Sequence, residues 1–136
     1  MAFEFPIRVY WEDTDAGGIV FYANYLKFFE RARTEWLRSL GVSQQALRAD
    51  TGGMFVVTDT AVRYLRPAVL DDVLQVSARM ETAGRASLTI AQEARCDRDG
   101  QLLATGTIRI GWVDAASMRP ARIPNNVLKA FQAPPP

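Results

Sequence analysis

The feature that most constrains this chain is a single long amphipathic segment in a sequence that is otherwise strand-like. From residue 23 to 40, Tyr25, Phe28, Phe29, Ala32, Trp36 and Leu40 recur at helical spacing and form one broad apolar stripe. Lys27, Glu30, Arg31, Arg33, Glu35 and Arg38 take the rest of the surface, and Glu30/Arg33 and Arg31/Glu35 are spaced for weak solvent-exposed pairing. Asn24 is placed to cap the start, Arg38 lies in the last turn, and Gly41 is positioned as the C-terminal stop. A helix with one apolar stripe must bury it against another layer, and what the chain offers for that purpose is β-structure.

The strands read from period-two alternation. Phe5, Ile7, Val9 and Trp11 point one way over residues 5–12, with Pro6, Arg8, Tyr10 and Glu12 opposite, and Pro6 suits a strand start or edge. Asp13-Thr-Asp-Ala-Gly-Gly18 is a turn-rich break before the helix. Ser43 opens a short helix over 43–49, and Thr51-Gly-Gly53 ends it. Val56, Thr58, Thr60, Val62 and Tyr64 are expected on one strand face; Leu74, Val76, Ala78 and Met80 on the next; then Leu88, Ile90, Gln92 and Ala94; then Ala104, Gly106, Ile108, Ile110 and Trp112. Gly84-Arg85 and Asp97-Arg-Asp-Gly100 are turns. Residues 124–131 form a short helix with Pro124 in its first turn. The expected organisation is one α+β domain over residues 1–132, an antiparallel sheet wrapped against one long helix, followed by a disordered Pro-rich tail at 133–136.

Composition narrows the chemistry. The 136 residues carry 16 Lys and Arg against 15 Asp and Glu, for a formal charge of +1, which argues against a general nucleic-acid binder. No stretch approaches the ~20 apolar residues of a membrane span, and the first residues lack the pattern of a secretion signal, so a cytoplasmic location is the expectation. Cys96 is the one cysteine and reads as a small apolar filler. There is no histidine, which removes Ser-His-Asp triads, Cys-His dyads and His-based metal sites. No metal site and no cofactor is expected, and acid–base chemistry falls to carboxylates, Lys, Tyr, Cys or backbone dipoles.

The run Tyr10-Trp-Glu-Asp-Thr-Asp-Ala-Gly-Gly-Ile-Val-Phe-Tyr-Ala-Asn-Tyr25 resembles the signature of hotdog-fold acyl-CoA thioesterases of the 4-hydroxybenzoyl-CoA thioesterase type. The continuation Leu26-Lys-Phe-Phe-Glu-Arg-Ala-Arg-Thr-Glu-Trp-Leu-Arg38, with Ser43-Gln-Gln-Ala-Leu47 and Leu70-Asp-Asp72, is more similar to the Tol-Pal-associated acyl-CoA thioesterases of that superfamily. The resemblance implies a hotdog fold, in which the antiparallel sheet wraps the central helix. It also implies a homodimer or homotetramer with active sites between subunits, and an acyl-CoA substrate hydrolysed to carboxylic acid and CoA. It makes Asp15 the catalytic carboxylate, as nucleophile or as general base. It makes the first N–H groups of the helix near Tyr22 the oxyanion hole. Gly17 and Gly18 then leave room for substrate against the backbone, and Arg85 and Ser87 become candidates for contact with CoA phosphates. Tyr22 stands where the Tol-Pal-associated branch usually has His, and Trp11 where it has Tyr; the aryl-CoA branch has Tyr at the position of Tyr22.

The residues alone carry plainer readings. Asp15 before Ala-Gly-Gly is also a common turn residue, Arg85 is also a solvated turn residue, and Asp13 reads as structural. The other functional readings are an aryl-CoA thioesterase and a non-catalytic adaptor that binds acyl-CoA or an acyl carrier. A hotdog hydratase, which relies on His with a carboxylate, ranks low in a chain without His.

Overall fold

A computed structural model describes residues 2–132. The expected tail at 133–136 lies outside the described residues. The elements run β1 (Phe3–Arg8), a 3-10 turn (Trp11–Asp13), α1 (Asn24–Ser39), α2 (Gln44–Thr51), β2 (Gly53–Tyr64), β3 (Val73–Ala83), β4 (Ser87–Cys96), β5 (Leu102–Asp114) and α3 (Asn125–Gln132). Among the described residues the strands form one antiparallel five-stranded sheet in the order β1-β3-β4-β5-β2, so β1 and β2 are its edges.

One face of that sheet buries α1. Tyr25, Phe28, Phe29, Ala32 and Trp36 of the predicted stripe are buried, joined by Leu37, while Leu40 is only partly covered. They meet Leu74, Val76 and Ala78 of β3, Leu88, Ile90 and Ala94 of β4, and Ile108, Ile110 and Trp112 of β5. Gly106 sits where the helix presses hardest: a Cβ there would stand 2.7 Å from Phe29 Cε2. Gly41, in the left-handed region at φ +81°, ends α1 as its position predicts. The Ser43 hydroxyl caps α2 by accepting from the Ala46 N–H at 3.4 Å. Pro124 lies just ahead of α3, whose Val127 and Phe131 close the end of the core against Trp36 and Phe55.

Four expectations are corrected. β1 stops at Arg8, and the chain then turns at Trp11–Asp13; Trp11 is therefore exposed and not on the Ile7–Val9 face. The register of β2 against β5 shifts between Val57 and Asp59, so a bulge at Thr58 exchanges the faces. Phe55 and Val57, not Val56 and Thr58, share the inner face with Thr60, Val62 and Tyr64. Asn24 does not cap α1: it is the first helical residue, and its side-chain amide reaches back to the Asp13 carbonyl at 2.8 Å. The expected Glu30/Arg33 and Arg31/Glu35 pairs do not form. Glu35 pairs with Arg38, and Arg33 turns inward to Gln92.

Candidate functional site

The acidic loop ahead of α1 is anchored by Asp13. This carboxylate is 2% exposed. It accepts from the Tyr10 N–H at 2.8 Å through one oxygen and pairs with Lys27 Nζ at 3.0 Å through the other. The Asp13 carbonyl accepts the Phe21 N–H at 2.9 Å and the Asn24 amide at 2.8 Å. One residue thus ties the start of the loop, its return and the helix together, in keeping with the structural role read from the sequence.

Between those ties the chain makes a small hairpin. Thr14 bridges Val20, the Asp15 N–H donates to the Ile19 carbonyl at 2.8 Å, and the Gly18 N–H to the Asp15 carbonyl at 3.0 Å. The Asp15 carboxylate is exposed; its Oδ1 accepts from the Gly17 N–H at 2.8 Å, and no other hydrogen bond reaches it among the described residues. Gly18 has φ +80°, which only glycine adopts at little cost. At Gly17 the reason is space: a Cβ would approach Asp15 Oδ1 to 3.2 Å.

At the helix start, Asn24, Tyr25 and Leu26 donate to the carbonyls of Phe21, Tyr22 and Ala23. The N–H groups of Tyr22 and Ala23 have no acceptor among the described residues. They are the orphan donors of a helix N-terminus, at its positive dipole end. The Tyr22 ring is exposed, 6.2 Å centroid to centroid from Tyr64, whose hydroxyl donates to the Tyr22 carbonyl at 3.0 Å. Ile19, Tyr22, Tyr25, Tyr64, Leu65 and Pro67 line an open groove there of about 310 Å³. Burial raises the Tyr25 and Tyr64 phenols above their ordinary value, so both hydroxyls keep their protons at neutral pH.

The predicted residues fall into two groups. Asp15, Gly17, Gly18 and Tyr22 share one loop and helix start. Arg85 and Ser87 lie in and just after the β3–β4 turn, at the far end of β3. The 11 residues of that strand separate the two groups by about 33 Å within one protomer. The Arg85 side chain is exposed, its carbonyl accepts the Ile123 N–H, and the Ser87 hydroxyl accepts from Arg109 at 3.4 Å. Sequence reasoning passed over Lys27 and Tyr64, which hold Asp13 and the Tyr22 carbonyl. Lys27, beside the apolar stripe on the first turn of α1, was the available signal.

An antiparallel sheet on one long helix, with a Gly-rich acidic loop feeding the helix start, defines a hotdog-fold protein. Residues 9–131 match the family described as the thioesterase-like superfamily. The acyl-CoA thioesterase YbgC of Haemophilus influenzae is 45% identical over 129 residues, covering 95% of this chain and 93% of that one. The acyl-CoA thioester hydrolase YbgC of Escherichia coli O6:H1 is 40% identical over 130 residues, covering 96% of each. Among solved structures, Slr0204, a 1,4-dihydroxy-2-naphthoyl-CoA thioesterase from Synechocystis, superposes with a TM-score of 0.90 at 22% identity over 97% of this chain and 96% of that one, a likeness of fold. The chain belongs to the thioesterase-like superfamily.

Proposed function

We propose that this protein hydrolyses an acyl-CoA thioester to a carboxylic acid and free CoA. The observation that carries the reading is the pair of unsatisfied N–H groups at Tyr22 and Ala23, beside an exposed loop carboxylate and without histidine. The thioester oxygen takes these two donors, which stabilise the negative charge that builds as the carbonyl carbon is attacked; one such donor is typically worth about 10²–10³ in rate. Asp15 either attacks the carbon itself or takes a proton from the attacking water. In the first route the thiolate of CoA leaves and water hydrolyses the mixed anhydride, regenerating Asp15. In the second, water oxygen bonds to the carbon, its proton passes to Asp15, and the C–S bond breaks in collapse of the tetrahedral adduct. Arg85 and Ser87 contact CoA phosphates, Arg by its bidentate fork, in a cytoplasmic homodimer or homotetramer whose site draws on two subunits. Family membership and the relatives' activities support this reading.

The test is free-thiol release from short, long and aromatic acyl-CoAs, with Asp15→Asn in parallel and circular dichroism to show that both proteins fold. Hydrolysis lost by a factor of about 10³ or more in the variant is expected. Turnover left intact in folded Asp15→Asn would remove Asp15 from the mechanism. No turnover of any acyl-CoA, with tight binding retained, would make the protein an acyl-CoA-binding adaptor.

A further inference from the structure

The two free N–H groups at the start of α1 are aimed by different means. A peptide unit is planar, so whatever holds its carbonyl also fixes the direction of the N–H on the opposite side. The Tyr22 N–H shares a plane with the Phe21 carbonyl, which accepts the Asn24 N–H at 2.8 Å. The Ala23 N–H shares a plane with the Tyr22 carbonyl, whose backbone donor, the Tyr25 N–H, stands at 3.4 Å, beyond the usual range of such bonds. What holds this second plane is a side chain: the Tyr64 hydroxyl donates to the Tyr22 carbonyl at 3.0 Å.

Tyr64 is itself held firmly. It is the last residue of β2, opposite Ala104 of β5, and the next two N–H groups, of Leu65 and Arg66, donate to the Leu103 carbonyl at 2.8 and 3.1 Å. Its ring stands edge-on to the buried Tyr25 ring at 5.5 Å and to the Tyr22 ring at 6.2 Å, geometries that aromatic pairs favour. The hydroxyl thus reaches the helix start from a sheet strand, and the reaction as described gives it no task.

We propose that Tyr64 is a positioning residue for thioester hydrolysis: through the Tyr22 carbonyl it aims the Ala23 N–H at the thioester oxygen and strengthens that donor. The strengthening arises because a hydrogen bond accepted by an amide oxygen draws electron density from the amide nitrogen and polarises its N–H. This role rests on the hydrolysis proposed above, and it needs no contact between Tyr64 and substrate.

The test is Tyr64→Phe, which keeps the ring pairs and removes the hydroxyl, with circular dichroism to show that the protein folds. On whichever of acetyl-, decanoyl- and benzoyl-CoA the wild type hydrolyses fastest, kcat should fall about tenfold, short of the roughly 10²–10³ for losing a donor outright. KM should stay within about twofold. A purely structural role would not move the infrared stretch of a bound thioester carbonyl. With turnover suppressed by Asp15→Asn, binding should shift the stretch of that substrate, isotope-labelled at the carbonyl, to lower wavenumber, and adding Tyr64→Phe should reduce the shift. A ring-fluorinated tyrosine at position 64, a stronger donor of nearly the same shape, should increase the shift and keep kcat at or above wild type at neutral pH. An unchanged kcat in folded Tyr64→Phe, a loss confined to KM, or a stretch indifferent to position 64 would overturn the proposal. Should Tyr64→Phe fail to fold, the fluorinated protein decides it by the same stretch. Hydrolysis abolished in Asp15→Asn but undiminished in Tyr64→Phe would sink the role of Tyr64 alone, whereas no hydrolysis by the wild type would overturn the hydrolytic reading and this role with it.

Discussion

Asp13→Ala tests whether one buried carboxylate holds the loop to the helix. The substitution removes the acceptor of the Tyr10 N–H and the partner of Lys27 Nζ. A hydrogen bond to a charged acceptor contributes about 1.5–3 kcal/mol. The Lys27 side chain is 40% exposed, so solvent screens that pair, and about 0.5–1 kcal/mol is the appropriate figure. Together the loss is about 2–4 kcal/mol. For a chain of 136 residues the unfolding entropy is about 0.29 kcal/mol/K, which converts the loss to a fall in Tm of about 7–14 °C by calorimetry. Thiol release should drop as well, because Asp15 and the Phe21–Asn24 turn hang on the same residue. A cycle with Lys27→Met should show a coupling of about 0.5–1 kcal/mol. A Tm shift under about 2 °C, worth about 0.6 kcal/mol by the same conversion, would refute the clamp.

Gly106→Ala forces a methyl to within 2.7 Å of the Phe29 ring and 3.1 Å of Ile108 Cδ1, and should destabilise by about 1–3 kcal/mol in denaturant titration with the m-value unchanged. Asp114 accepts the Ser117 and Ala116 N–H groups, and Asp99 that of Gln101; these bonds lower both pKa values. Because the folded state holds these protons less tightly than the unfolded state, the stabilisation is present above the ordinary carboxylate range and lost as pH falls through the depressed values. Asp114→Asn should therefore flatten the acid limb of a Tm-versus-pH curve, with Tm below wild type at pH 7 and converging on it in acid.

The sheet and helix were legible because their signals are periodic and agree with one another. The stripe from Tyr25 to Trp36 and the alternations through Leu74, Leu88 and Ile108 each predict a face that the fold buries. Gln92 was legible in part: a polar residue on an apolar face must be satisfied on burial, but its partners, the carbonyls of Phe29 and Ser77, are distant in sequence. Arg33 was read as a solvated residue for the same reason. Its destination is decided by β4, not by its neighbours on α1. The Thr58 bulge and the turn at Trp11 leave no periodic trace, since one inserted residue exchanges the faces while alternation continues on both sides. At the loop, Asp15, Gly17 and Gly18 could be located by turn chemistry, whereas the free N–H groups of Tyr22 and Ala23 belong to the backbone and carry no residue signature.

The separation of Arg85 from Asp15 bears directly on assembly. Both cannot serve one thioester within a protomer, since the length of β3 lies between them. Either Arg85 is a plain turn residue or the site is composite. The edge strand β2 supplies a geometry for the second case. Its Tyr64 end lies against Tyr22, and its Gly53 end pairs with Asp114, close to Trp112, whose N–H bonds the Ala86 carbonyl in the Arg85 turn. Two β2 edges paired antiparallel about a twofold axis would set one protomer's Tyr64 end beside the partner's Gly53 end. The partner's Arg85 turn would then lie at the same end of the joined sheet as the free N–H groups of Tyr22 and Ala23. Val57, Tyr64 and Leu65 are exposed apolar residues along or just beyond that edge, which in an isolated protomer would leave an unpaired strand open to solvent. The composite reading thus requires that disrupting the β2 edge and removing the Arg85 guanidinium weaken CoA binding together, whereas a plain turn residue would leave it unchanged when Arg85 alone is replaced.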